Sequence, residues 1–495
     1  MPRGRRGGKG AKDGALSPTP SSSSATSPPS GSHPLLTEGT PEQQLTPLLT
    51  TTILQRLATA KQYAYVCASG YGGYSAFKEM LQNGVPGCTI LFESHDVTTI
   101  TKPLPGIFFS RIHCVKKKFS ANIPTEVPFI AVYTNHSKLP QEFLSRTTAL
   151  KLLDFASMVN VKVLSPSFLG GAKGLRRVDF SNLSRVTTIQ SDFLSKCVGL
   201  CTVDLSPFSN VTQISDSFLE HCTGLSTLDM SPLAQLQEIP TYFLFGCSNL
   251  KSINFSGLSK VTTIHGQFLH NCTSLEKINL HPLTKLNEIS FSFLDGCVGL
   301  TTFDATPLSR VKNMPEGWLY SCTGIESMNL HPLTHLKSIP GSFMHGWTNL
   351  KSIDLSPLSQ VTEIGSCFMS RCTSLTTLDL SPLKKLTKIS FQFLSECTSL
   401  ATIDVSHLSQ LTEIPESFLS KCTALTSIHV GSWPFVTTLR EYFGKGCISL
   451  TSLDLSGLTG LSHVSPGFVY NCPALKKLNM PSGTQFDEVP PALRF

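Results

Sequence analysis

Apolar residues return along this chain at a fixed interval of 25. With Phe193 as position 1, an aromatic ring recurs at Phe143, Phe168, Phe218, Phe243, Phe268, Phe293, Trp318, Phe343, Phe368, Phe393, Phe418, Phe443 and Phe468, fourteen rungs without insertion or deletion. Position 5 is Cys in eleven of them, from Cys197 to Cys472. Positions 8, 11 and 13 are apolar (Leu375, Leu378, Leu380), and so are 16, 19 and 22 (Leu383, Leu386, Ile389). Self-similarity at such a period is the mark of a solenoid, in which no unit buries its own apolar face and each is stabilised by its neighbours.

Positions 11 and 13 share one face of a short strand, because side chains alternate along it, and position 12 points the other way. Pro at position 15, as in Pro207, Pro232 and Pro382, cannot donate to a ladder and ends the strand. Positions 16 to 22 then cross the opposite side, and the Phe-Leu-x-x-Cys segment turns back with one helical or 3-10 turn. The expected fold is an α/β solenoid, mostly β with short helical or 3-10 turns. It is a curved array of about fourteen rungs with a parallel sheet on its concave side. At about 4.8 Å per rung the array runs on the order of 70 Å.

The stretch Leu375 to Leu383, followed by Phe393-Leu-x-x-Cys397, resembles a leucine-rich repeat. The Phe-x-x-x-Cys-x-x-Leu phrase is similar to the BspA-like class, found in bacterial surface proteins and in many unicellular eukaryotes. The resemblance covers residues 138–495. It implies the fold and leaves the ligand open. Many leucine-rich repeats carry Asn at the ninth place of the strand phrase, where this chain has Leu233, Leu283 and Leu383. The inner turn is therefore expected to satisfy its amides another way, through the Ser at position 14.

The ends differ in composition. Residues 1–45, rich in Ser, Pro, Gly and Thr, read as a disordered basic tail. Residues 46–137 read as a cap of diverged repeats, with a helix at Leu48–Lys61 and a strand within Pro128–Tyr133, or else as a small separate domain. Gly70-Tyr71-Gly72-Gly73 lacks the Lys-Ser/Thr of a phosphate loop and reads as a turn. Residues 138–495 are the solenoid.

Charge changes the picture little. The formal net charge is +7, and five of those charges are Arg3, Arg5, Arg6, Lys9 and Lys12. The body is close to neutral, unlike a dedicated nucleic-acid binder. Nucleic acid is expected only as a weak contact of the tail. No apolar run reaches the length of a membrane span and no secretory leader is visible, so the expected setting is cytoplasmic. In that setting the sixteen cysteines are read as reduced thiols. The thiol ladder lacks zinc spacing and reads as packing. No nucleophile elbow, Walker loop or His/Cys cluster stands out. No enzyme activity, catalytic residue, cofactor or metal is therefore expected.

The expected function is a protein-interaction scaffold that binds an as yet unidentified protein on the concave face, through positions 9, 10, 12 and 14. Position 12 supplies Asp204, Asp229, Asp304, Asp354, Asp379 and Asp404, an acidic stripe suited to a basic segment. The same Asp with its following Ser could instead order the turn. A second candidate patch is the rung where Trp433-Pro-Phe435 breaks the pattern, with Arg440 and Tyr442 close behind, since exposed Trp, Tyr and Arg anchor interfaces. The alternative there is a local repacking of the core. Other readings of the whole are a surface adhesin or receptor of the BspA-like type, a substrate-recognition subunit of an enzyme complex, or a chain that self-associates through its solenoid ends.

Overall fold

The computed structural model describes residues 158–487 continuously, together with 111–113, 129–133, 137–139, 141–148 and 152–154. The expectations for the tail, the Leu48–Lys61 helix and the Gly70–Gly73 turn lie outside the described residues. The strand Phe129–Tyr133 is present. With Arg111–His113 it extends the array before the regular rungs, pairing in parallel at offsets of 20 and 23 residues instead of 25 (Arg111 opposite Ala131, Ala131 opposite Asp154).

The chain is a parallel β-solenoid. A first ladder runs through positions 10 to 12, where Thr227–Asp229 pairs with Ser252–Asn254, Thr302–Asp304 with Ser327–Asn329, and Thr402–Asp404 with Ser427–His429. Positions 10 and 12 are exposed and position 11 is buried, as the period of two requires.

A second ladder lies at positions 21 and 22, where the sequence shows only a crossing. Thr188–Ile189 pairs with Gln213–Ile214, Glu363–Ile364 with Lys388–Ile389, and Thr438–Leu439 with His463–Val464. These strands are two residues long, too short for alternation to reveal them. Beside this ladder Thr and Ser hydroxyls at position 20 donate to carbonyls one rung back, as from Thr212 to Thr187 and from Thr387 to Thr362.

The two predicted turns exchange character. The 3-10 turn sits at positions 14 to 16, as in Ser356–Leu358 and Ser381–Leu383, with Pro inside its first turn. The Phe-Leu-x-x-Cys segment carries positive φ at positions 25, 2 and 4 of successive rungs, for example Asp192, Leu194 and Lys196 at 60°, 54° and 62°. Each such residue costs about 1–2 kcal/mol in isolation. The alternation turns peptides toward neighbouring rungs. The Leu194 amide donates to Phe168 and the Lys196 amide to Glu220, so this segment forms a third line of inter-rung bonds.

Inside, the position 1 rings form a column. Neighbouring centroids lie 5.2–5.9 Å apart wherever two rings stack directly. Between Phe293 and Trp318 the ring of Phe303 wedges in, edge-on to both. The column and the Leu, Ile and Val ridges around it form one continuous core from Leu139 to Leu475. Among the described residues no helix is long and apolar enough to cross a membrane.

Candidate functional site

The acidic stripe of position 12 stands on the exposed face of the first ladder. Each carboxylate has a structural task. One oxygen accepts the backbone N–H two residues on, Ser206 to Asp204 and Ser231 to Asp229 at 2.9 Å, Thr306 to Asp304 at 2.9 Å, and Ser356, Ser381 and Ser406 to Asp354, Asp379 and Asp404 at 2.8 Å. Asn does the same where it replaces Asp: Asn254, Asn279 and Asn329 accept from Ser256, His281 and His331 at 2.9–3.0 Å. The inner turn thus satisfies its position 14 amide from position 12. The Ser at position 14 supplies that amide and, in Ser356 and Ser381, a hydroxyl that donates to the second oxygen. The side chain that orders the turn and the side chain that gives the face its charge are the same.

These bonds stabilise the ionised form. The Ser356 amide and hydroxyl hold Asp354 below the usual carboxylate range. The Thr306 hydroxyl and amide, with His281, do so for Asp304. Asp454 is drawn down to about 2 by the Ser456 hydroxyl and amide and by Asn479. Partial burial pulls Asp229 and Asp404 upward, and hydrogen bonds from the following Ser outweigh it. Repulsion along the row is relieved where a donor interrupts it: Asn254 donates to Asp229 at 2.9 Å, and the His281 ring lies 2.7 Å from Asp304. No such interruption falls between Asp354, Asp379 and Asp404, whose strand neighbours Ser352, Thr377 and Thr402 carry no charge.

The second candidate patch is divided. Trp433 occupies position 16, a core place, and is fully buried, edge-on to Phe418 at 6.4 Å. It offers no surface to a partner, because position 16 points inward from Met158 through Leu458. Phe435 at position 18 is 55% exposed. Arg440 pairs with Glu413 at 2.7 Å. Tyr442 is half-buried, with the Lys445 ammonium 4.0 Å above its ring. These three lie at positions 18, 23 and 25, away from the first ladder, so they do not join the Asp stripe. Arg440 borders a shallow cleft shared with Lys388, Phe391, Glu413, Glu416 and Glu441.

One column escaped the sequence reading. Position 3 is Ser or Gly in many rungs, yet Phe245, His270, Asp295, Tyr320 and His345 occupy it in five successive ones. Phe245 stacks on His270, whose ring nitrogen lies 3.2 Å from Asp295, and Tyr320 stacks on His345. The departure from small residues was the available signal. Among the described residues no group of His, Cys, Asp or Glu has the arrangement of a metal site.

Comparison with known proteins agrees with this architecture. The model of the BspA type leucine-rich repeat region matches residues 162–301, 237–376, 312–450 and 362–488. A leucine-rich repeat protein from Bacteroides ovatus is similar over 77% of this chain and 92% of its own, at 16% identity and a TM-score of 0.49. A leucine rich cell surface protein from Faecalibacterium prausnitzii is similar over 77% and 84%, at 16% identity and a TM-score of 0.41. The functional domain of InlJ from Listeria monocytogenes, described as including a cysteine ladder, is similar over 75% and 64%, at 18% identity and a TM-score of 0.31. No curated protein sequence matches. With the matched segments running through residues 162–488, the chain belongs to the BspA-type leucine-rich repeat family, a family of non-enzymatic interaction scaffolds.

Proposed function

We propose that the chain binds a protein partner along the first ladder, with Asp354, Asp379 and Asp404 as the centre of the contact and a basic or hydrogen-bond-donating segment as its complement. The observation that supports this most is the double role of position 12. Asn serves the turn as well as Asp does, so the turn alone gives no reason for three successive carboxylates flanked by uncharged Ser and Thr. A row of carboxylates on an exposed face, with His407 3.9 Å from Asp404 at its edge, raises encounter rates with an oppositely charged partner. The proposed setting is intracellular. The thirteen described cysteines are free thiols, eleven of them buried, which suits a reducing compartment.

The test is capture of partners from native lysate by the full chain and by the triple variant Asp354→Asn, Asp379→Asn, Asp404→Asn. This variant keeps the amide acceptor and removes the charge. A protein retained by the first and lost by the second supports the reading. Equal retention moves the contact elsewhere. Retention of surface or extracellular components instead would favour the adhesin reading.

A further inference from the structure

The body's near-neutral charge hides a separation of signs. Positions 17, 18 and 20 form the ridge between the 3-10 turn and the second ladder. From Val159 to Ser462 these positions hold no Asp or Glu in any rung, and every ionised side chain there is Lys or Arg. The densest run is Lys260, Lys285, Arg310, Lys312, Lys337, Lys384 and Lys385, all exposed. None of the seven takes part in the ion pairs seen among the described residues. The hydrogen bonds they make go to neutral groups, Lys260 to Gln235, Lys385 to Gln360 and Arg310 to the Thr284 carbonyl. Their charge is therefore available to a ligand.

We propose that this ridge is a docking strip for an extended acidic polypeptide segment lying along the solenoid axis. Its dimensions favour one chain. Lys260 and Lys385 are five rungs apart, about 24 Å at ~4.8 Å per rung, which an extended segment of roughly seven residues spans. The strip lies between the Asp stripe and position 21, where the exposed Glu288 and Glu363 stand along its length and Lys388 at its end. Those carboxylates repel a second row of negative charge, so a duplex or a membrane surface fits poorly. No Phe, Tyr or Trp stands at positions 17, 18 or 20 between Lys260 and Lys385, and the one imidazole there, His335, is tied to the Val311 carbonyl, so the ridge lacks the row of rings on which a single-stranded nucleic acid stacks. Thr284, Ser309 and Thr334 at position 17 add exposed hydroxyl groups beside the cations.

The test is fluorescence anisotropy of a labelled ten-residue oligo-glutamate peptide titrated with the full chain. It is run beside a ten-nucleotide oligothymidylate and phosphatidylserine vesicles. The ridge variant is Lys285→Gln, Arg310→Gln, Lys337→Gln. The control is Lys251→Gln, Lys351→Gln, Lys476→Gln, which removes equal charge from position 9 on the first-ladder face. All six side chains are exposed, and circular dichroism verifies that both variants are folded. The expected result is saturable peptide binding that the ridge variant weakens about tenfold or more, that the control changes less than about twofold, and that added salt suppresses. Three results overturn the proposal: no saturable peptide binding, equal loss in both variants, or binding that ignores the ridge variant, which would place the peptide on the basic amino-terminal residues. Tighter binding of the oligonucleotide or vesicles through the same ridge would replace the acidic peptide with that class.

Discussion

The indole N–H of Trp347 donates to the backbone carbonyl of Leu319 at 2.8 Å, 28 residues back. The same register is filled elsewhere by thiols. Cys322 donates to Leu294, Cys372 to Met344 and Cys422 to Leu394 at 3.1–3.2 Å. Trp347, the apparent exception to the cysteine ladder, performs the ladder's task. The carbonyl at position 2 is oriented by a left-handed residue and accepts the position 5 amide of its own rung, as Leu319 does from Cys322. Position 5 of the following rung supplies its second donor. Ladder cysteines are thus donors as well as packing groups.

Two of the three buried tryptophans, Trp347 and Trp318, should therefore respond differently to phenylalanine. Trp347→Phe leaves the Leu319 carbonyl short of a donor and should destabilise by about 1–3 kcal/mol. Trp318 stands at position 1, where Phe is the usual residue, and its indole nitrogen is buried without a hydrogen-bond partner. Trp318→Phe should be neutral or slightly stabilising. Urea unfolding midpoints check this, and equal shifts for both variants would contradict the donor role.

Burial pushes the thiols of Cys197, Cys247, Cys297 and Cys372 up to about 12. The thiolate is the reactive form, so the ladder should resist alkylation while the protein stays folded. Cys201 is exposed and Cys367 is half-buried. Among the described cysteines, iodoacetamide labelling at pH 8, read by peptide mass spectrometry, should mark Cys201 first, Cys367 slowly and the ladder only in denaturant. Early labelling of Cys272 or Cys297 would be inconsistent with a closed core.

Burial of His345, reinforced by Arg371 and opposed by Glu396, lowers its pKa below the ordinary 6.5. The unfolded chain then binds the proton more readily, so stability falls as pH drops through 6.5 toward the folded value. His345→Phe keeps a ring to stack on Tyr320 and removes the titration. Between pH 7 and pH 5 the wild type should lose more stability than this variant. Loss of the depressed carboxylates, Asp304 and Glu396 among them, belongs to a separate window below about pH 4.5. An identical decline for wild type and variant above pH 5 would rule out His345 as the cause.

Removing the carboxylate of Asp404 altogether should cost stability, because the Ser406 amide loses its acceptor. Asp404→Ala is expected to destabilise by roughly 0.5–1.5 kcal/mol, and Asp404→Asn by much less. Thermal unfolding of the pair separates the turn's requirement from the charge. A neutral Ala variant would remove the turn from the role of position 12.

The repeat, its parallel stacking and its core were legible because burial acts on every rung alike and leaves a period of 25 in the residues. The second ladder was not, since Glu363–Ile364 and its equivalents are two residues long and leave no alternation. The left-handed positions were faintly marked by Gly171, Gly246, Gly296 and Gly346 at position 4, but Arg146, Lys196 and Arg371 there obscure the pattern. On the candidate site the sequence placed the Asp stripe on an exposed face and left its hydrogen bonds open between charge and turn. Trp433 stayed open between an interface anchor and a repacked core because a ring at either place is the same letter. Only the register at position 16 separates them. The basic ridge was concealed by counting charge over the whole chain instead of by position.

The account rests on the first ladder as the partner-binding face, and site-specific photo-crosslinking tests that most directly. A photoreactive residue replaces Thr377 between Asp354 and Asp404, and in separate proteins replaces Lys385 on the ridge or Glu363 on the second ladder, all three exposed. In native lysate the Thr377 protein should yield a discrete crosslinked partner that disappears with the Asp354→Asn, Asp379→Asn, Asp404→Asn background. The Glu363 protein should not capture that partner. Capture from Glu363 with Thr377 silent would contradict the account and place the binding face on the second ladder.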